Sequence, residues 1–452
     1  MHSQSFKQLI DHAEAARAEF AVPGVALGVL RGGIIEMAGL GVTSLANPLP
    51  VTDDTLFQIG SITKTMLGTV VMRLVAAGRL DLDVPLTTYL PDLRLRDQEA
   101  QARASMRHLL THTAGWLGDY FDDLGWGDDA LDRIVRERMP ELPQQLPLGT
   151  LFSYNNSGFY LAGRVIEQVT GMTFEAAMRA WLLQPLALHD SLFFPHDVML
   201  RRFVVGHQRN EDGVVAPIGP WPIGRASHPA GGVVSTVGDL LRYAAFHLGD
   251  GSSPGGEHLI PAELLAAMRA PQAPINRDMD VGLTWFVRRV GPLTMIRHSG
   301  GTKGQIADLW IAPERGVALA TLTNAAQGGL LTAAIWRSWL QIELGLAEPM
   351  PEPLELPDLA QSLVGRYLGA LSDSEIELSD GRLSLQSIPK GGFPTPETPP
   401  GPTPPPIPIV LISESEAIVP EGPYVGQRIE IGPLVDGKVA WVRVGSRVQT
   451  RA

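Results

Sequence analysis

The chain predicts an α+β fold: an antiparallel sheet flanked by helices plus a helical lobe, followed by a small all-β C-terminal domain. Three observations carry this. Two strand-like runs, Val25–Leu30 and Ile34–Gly41, come before a long helical stretch, and three more, Thr294–His298, Ile306–Ile311 and Val317–Thr323, come after it. The region from about 80 to 250 reads as helices broken by Pro- and Gly-rich loops. Beyond a Pro/Glu-rich stretch, Ala347–Pro357, the helical period gives way to short β-branched runs. Strands from both ends of a domain most simply join in one sheet, with terminal helices on one face and the insert as a second lobe. A cleft between the lobes is the natural place for a substrate.

Taken in order, residues 3–20 have the spacing of an amphipathic helix. The two N-terminal strands meet at Arg31-Gly32-Gly33, a hairpin signal. An apolar helical run with Met66, Leu67, Val70, Val71, Leu74 and Val75 ends near Gly78. Further helices are predicted over Met106–Thr111, Ala130–Arg138, Gly158–Val169, Thr173–Leu183, Val237–Leu248 and Gly329–Leu344. We place a large N-terminal domain at 1–346, a linker at 347–359 and a small barrel at 360–452. Barrel pieces are Val364–Leu368, Ile376–Leu378, Leu383–Gln386, Val410–Ile412, Ile429–Ile431 and Val439–Val444, with hairpin turns at Asp380-Gly381 and Asp436-Gly437. Half of the residues from Pro389 to Pro408 are proline. That segment is expected to be an extended, mobile loop that cannot pair as a strand, and a passive insertion.

The length of 452 residues suits two or three domains, and 44% apolar residues suit an ordinary globular protein. A net charge of −12 without long runs argues against nucleic acid and anionic membrane surfaces as partners. There is no cysteine, which excludes disulfides, thiolate metal sites and cysteine nucleophiles. Neither a signal-peptide pattern nor a membrane-length apolar stretch is seen, so the expectation is a soluble, cytoplasmic protein. A chain stripped of a leader would read the same.

The chemistry begins at Ser61-Ile62-Thr63-Lys64, directly after Phe57-Gln58-Ile59-Gly60. A serine and a lysine three residues apart share one helix face. The helix N-terminus adds positive potential at the serine. A serine hydroxyl becomes a nucleophile when a base takes its proton, and a buried lysine can serve. Three further pieces accompany the pair: Tyr154-Asn155-Asn156 before a helix, His298-Ser299-Gly300-Gly301 at a strand end, and Leu109-Leu110-Thr111-His112-Thr113-Ala114-Gly115.

With these motifs in this order, the chain resembles the class C β-lactamase and DD-peptidase type of serine hydrolase, across roughly residues 10–345. The family carries Ser-x-x-Lys, Tyr-x-Asn and a Lys/His-x-Gly triplet, with a stretch like Ala230–Thr236. The resemblance implies Ser61 as nucleophile, Lys64 as the group that polarises it, and Tyr154 as general base and then acid. It implies that Asn156 binds the substrate amide and helps hold Lys64. His298 stands where many β-lactamases have lysine, which points away from β-lactams toward peptides, amides or esters. Gly300 lets substrate backbone approach, and the N–H groups of Ser61 and Gly301 form the oxyanion hole. A phenolate at Tyr154 requires Lys64 or His298 to stabilise it. The bulky Asn155 in the middle of Tyr-x-Asn suggests a wider or more polar loop. His112 and Ala230–Thr236 are read as scaffold. The C-terminal domain resembles lipocalin-like domains appended to some D-amino-acid-specific peptidases and to stand-alone cyclases that release nonribosomal peptides.

Gly251-Ser252-Ser253-Pro254-Gly255 has the letters of an α/β-hydrolase elbow. No strand precedes it, and Pro254 has no N–H for an oxyanion hole. There is no His-Glu-x-x-His, and Gly39-Leu40-Gly41 lacks the rest of a nucleotide fingerprint. The expected activity is hydrolysis of an amide or ester of a small acyl or peptide substrate, D-configured residues included, through a Ser61 acyl-enzyme. The alternatives are an acyl transferase that releases a cyclic peptide, and an idle penicillin-binding-like scaffold. No metal or cofactor is implied, and the sequence sets no oligomeric state. Specificity is expected from the loops Trp116–Asp129 and Pro217–Arg225 and from the Pro-rich segment.

Overall fold

The computed structural model describes residues 2–210, 212–219 and 221–452. Its central element is an eight-stranded antiparallel sheet. In spatial order the strands are Ile34–Gly41, Gly24–Arg31, Val317–Thr323, Gln305–Ala312, Leu293–Thr302, Phe286–Val290, Met279–Val281 and Ala273–Asn276. The N-terminal hairpin thus meets the late strands at Val25↔Thr323, as strands from both ends of one domain should. The last three strands in that order were not foreseen. They are short, and Pro274, Asn276, Arg277, Arg288 and Arg289 mask their alternation.

Each face of the sheet is covered by a different set of helices. Gln4–Glu19 buries Phe6, Leu9, Ala13 and Ala16, spaced to fall on one stripe, and packs with Gly328–Leu344 over one face. Its first turn is capped by Ser3, whose hydroxyl accepts the Phe6 N–H at 3.3 Å. The other face meets Val237–Leu248 and the Ile62–Ala76 helix, which is buried nearly all round. A helix apolar on every side belongs in a core. The helical lobe completes that core, and its expected 173–183 helix is Phe174–Met178 continued by a π-helical turn, Arg179–Leu183.

The C-terminal region forms a closed eight-stranded barrel running from Gly365–Leu368 to Arg447–Arg451, sealed by the pair Tyr367↔Arg451. Closure removes the exposed strand edges. Two of its strands, Glu416–Ile418 and Arg447–Arg451, lay outside the sequence reading. Two expectations are corrected here. The stretch read as linker ends in a helix, Pro357–Leu363, whose Leu359, Ala360 and Leu363 pack into the barrel core. The Pro-rich segment begins and ends inside strands: Pro389 pairs with Ser372, and Pro408 with Ser384. Both prolines lie at the sparsely paired ends of their strands, where a missing N–H is tolerated.

The barrel is seated on the sheet's far edge. Asn276 Nδ2 donates to Glu430 at 2.9 Å, and the Arg277 N–H donates to Glu416 at 2.7 Å. Arg428 pairs with Asp278, and Arg443 donates to the Ile275 carbonyl. The barrel therefore holds a fixed place beside the cleft.

Candidate active site

Ser61 sits at the N-cap of the Ile62–Ala76 helix, yet its hydroxyl makes no capping bond. It is left free for Lys64, whose Nζ lies 3.1 Å from Ser61 Oγ. Lys64 is fully buried, and its Nζ also donates to the Ala230 carbonyl. Burial is the main cause that drives its pKa well below the ordinary lysine value; the Arg447 charge adds to the drop and Asp119 opposes it.

Gly60 and Gly300 allow the strand Leu293–Thr302 to press against the start of this helix. Gly60 has φ +51°, and a Cβ there would fall 2.7 Å from Gly301 N. A Cβ on Gly300 would lie 1.8 Å from the Ile59 carbonyl oxygen and 2.8 Å from Ser61 N. Any side chain there would part the backbones of Ser61 and Gly301.

Tyr154 is buried against the stacked ring of His112, whose centroid lies 4.3 Å away. The Lys64 ammonium nitrogen is 5.1 Å from the Tyr154 ring centre. Burial pushes the phenol up, only partly offset by the neighbouring Ser61 hydroxyl and the Arg447 charge. The Ser61 hydroxyl stands close but outside hydrogen-bond geometry, so Tyr154 Oη has no partner. Burial thus favours the neutral phenol, and the phenolate that a general-base role would need is disfavoured here.

Three other expectations change. Asn156 Nδ2 donates to Asp119 at 2.7 Å, and its side chain does not hold Lys64, whose Nζ donates to the Ala230 carbonyl instead. Asn155 is buried and does not widen its loop: its side chain caps the Ser157–Thr170 helix by accepting the Gly158 N–H at 2.7 Å. His298 brings no charge. Its Nδ1 donates to the Ser299 carbonyl at 2.6 Å, leaving Nε2 as an unpartnered acceptor, and burial holds its pKa down to about 3. His112 has the opposite tautomer, because its Nδ1 accepts the Asn155 N–H at 2.9 Å.

The positive charge beside Tyr154 comes from the barrel. Arg447 lies 4.8 Å over the Tyr154 ring and forms an ion pair with Asp119, which is almost fully buried. The same turn fixes the tyrosine backbone, since the Tyr154 N–H donates to the Ser446 carbonyl at 2.9 Å. Sequence reasoning missed Arg447 and Asp119. The one available signal was the placement of Asp119 in a loop already marked for specificity.

These groups open on a cavity of about 340 Å³. Ser61, Tyr154, Asn156, His298 and Gly301 line its reacting side. Each of the three loops marked for specificity contributes an apolar side chain: Phe121, Ile223 and Phe393. Phe393 belongs to the Pro-rich segment, which is therefore not a passive insertion. The Ser252 turn lies elsewhere, after the Val237–Leu248 helix, with no strand before it. No group of three or more potential metal ligands gathers among the described residues. No helix among them is long and apolar enough to cross a membrane.

The family profile described as Beta-lactamase matches residues 6–342. Penicillin-binding protein 4 of Amycolatopsis lactamdurans is 32% identical over 371 residues, covering 77% of this chain and 97% of that protein. The chain belongs to the beta-lactamase family. It is a serine hydrolase of that family, alongside esterase EstB of Burkholderia gladioli, which is 30% identical over 59% of this chain and 74% of the esterase. This beta-lactamase family member is also similar along its whole length to the crystal structure of SurE with D-Leu. The TM-score is 0.73 with 26% identity, over 99% of both chains. That likeness includes the barrel, which lies beyond the matched family region.

Proposed function

We propose that the protein cleaves an amide or ester of a small peptide or acyl substrate, with a D-configured residue at the scissile bond, through an acyl-enzyme on Ser61. The observation that carries this reading is the 3.1 Å approach of Lys64 Nζ to Ser61 Oγ inside a buried site that disfavours the ammonium. A neutral Lys64 takes the Ser61 proton as Oγ attacks the carbonyl. The resulting oxyanion meets the N–H groups of Ser61 and Gly301, donors worth about 2.7–4 kcal/mol each in other acyl enzymes. Tyr154, neutral at rest, protonates the leaving group, and the lysine ammonium returns that proton to the phenolate. Arg447 steadies the transient phenolate. Asn156 and His298, which line the cavity, bind substrate amides in this reading. The D-Leu held by SurE supports the stereochemical part of the proposal.

A second reading has a specific support: transfer of the acyl group to an amine of the substrate. The barrel places Leu371, Phe393 and Arg447 on the cavity wall, and Phe121, Ile223 and Phe286 line it too. An apolar wall excludes water and favours capture by a bound amine. Products from a peptide thioester separate the two, as a linear acid or a cyclic peptide.

The test of the acyl-enzyme is intact-mass detection of a fluorophosphonate or penicillin adduct. Ser61→Ala is expected to lose both adduct and turnover while remaining folded. Full turnover in that variant would refute the assignment, and a wild type that neither labels nor turns over any ester would leave the idle-scaffold reading standing.

A further inference from the structure

The Pro-rich segment is built to hold one side chain at the cavity. Gly391 has φ +80°, and a Cβ on it would fall 2.2 Å from the Thr398 carbonyl oxygen. The Gly392 N–H donates to that carbonyl at 2.9 Å, and the Thr398 N–H closes on the Thr395 carbonyl at 3.0 Å. The result is a tight knuckle over residues 392–398. Its base is tied down where the Lys390 N–H donates to the Leu371 carbonyl at 2.8 Å, with Lys390 Nζ 3.3 Å from Asp373. The flanking prolines restrict φ and lower the entropy cost of keeping the knuckle in place. At its inner side, Phe393 meets Phe121 edge-to-face at 4.8 Å, across the junction of barrel and helical lobe. Such pairs are rigid and favour a definite geometry.

We infer that Phe393 is a specificity-determining residue: with Phe121 it forms the wall that limits the size of an apolar substrate side chain next to the scissile bond. This rests on the Ser61 acyl-enzyme reading. The substrate class is a peptide ester or amide with a branched aliphatic or aromatic side chain at that position. The reacting side of the cavity carries the polar groups, whereas Phe121, Ile223, Phe286, Leu371 and Phe393 offer no hydrogen bond. An apolar pocket discriminates side chains by volume, by about 10-fold to 200-fold for one methylene.

The test compares wild type with Phe393→Ala and Phe393→Trp on two series of peptidyl thioesters. One series steps the acyl residue through D-Ala, D-Leu, D-Phe and D-Trp, and the other steps the leaving group through the same sizes. In one of the two series, Phe393→Ala is expected to raise kcat/KM for the tryptophan-sized substrate relative to the alanine-sized one by at least about 10-fold. Phe393→Trp is expected to move the same ratio the other way. A loop needed only for folding would lower all substrates together in both variants. Ratios unchanged in both series would overturn the assignment. Fluorophosphonate labelling of Ser61, run on every variant, keeps the two readings apart. An unlabelled wild type sinks the acyl-enzyme, while labelled variants with unchanged ratios sink Phe393 alone. Should Phe393→Ala melt far below wild type, Phe393→Leu replaces it and is held to the same direction of change.

Discussion

At the residue scale, the site depends on which of two buried groups carries a proton. The Lys64 nitrogen lies 5.1 Å from the Tyr154 ring centre, and burial pushes the two groups in opposite directions: lysine down, tyrosine up. In the mechanism proposed above, this division makes the lysine the base and the tyrosine the acid. Arg447 acts on both groups in the same direction: its charge further disfavours the lysine ammonium and partly offsets the rise at the phenol. A prediction with a definite sign follows. The base works when neutral, so acylation falls on the acid side of the Lys64 pKa. Arg447→Gln removes a positive neighbour, raises that pKa and moves the acid limb of kcat/KM to higher pH. A limb that stays in place or moves down would show that Arg447 does not act on Lys64. Ser61 and Lys64 were legible from their helical spacing, and Tyr154, Asn156 and His298 through motifs that resemble the family's. Arg447 was not, since its partner Asp119 is 328 positions away and nothing local marks one arginine among several in a terminal strand. The protonation of Tyr154 was also out of reach, because burial is a property of packing and not of spacing.

At the element scale, the decisive contact is between the strand Leu293–Thr302 and the turn before the Ile62–Ala76 helix. No side chain separates them, so the two expected oxyanion donors can share one point in space. Gly300→Ala is expected to abolish acylation: a Cβ 1.8 Å from a carbonyl oxygen forces the strand away from Ser61. The readout is loss of fluorophosphonate labelling with helical circular dichroism retained. Labelling at the wild-type rate would mean that the donors tolerate separation. Long periodic elements such as Gln4–Glu19, Val237–Leu248 and Gly24–Arg31 could be read in advance, because their burial pattern follows the helix or strand period. The edge strands Ala273–Asn276, Met279–Val281 and Phe286–Val290 could not, because they are short and carry polar residues, and the turn between the first two is tied to the barrel. Asn276 and Arg277 bond the barrel's acidic strands where a free-standing sheet edge would face water.

At the scale of the whole molecule, the barrel supplies part of the cleft wall, and its seat contains a titratable group. Burial pushes the Glu430 carboxyl up to about 7; Asn276 and Arg443 oppose the shift, and nearby Glu416 adds to it. An unfolded glutamate titrates near 4.3. Between those values the unfolded chain has released a proton that the docked state keeps. Stability therefore falls as pH rises across that window and levels off above it, by about 4 kcal/mol at most. Glu430→Gln keeps the acceptor for Asn276 but removes the ionisation. Its thermal midpoint is expected to exceed that of wild type at pH 8 and to match it near pH 4.5. A variant less stable than wild type at pH 8 would mean that the carboxylate is ionised and paired at the interface. The same substitution links docking to catalysis. If the barrel delivers Arg447 to Tyr154 and Lys64, a firmer seat should hold kcat/KM at pH 8 closer to its neutral-pH value in Glu430→Gln than in wild type.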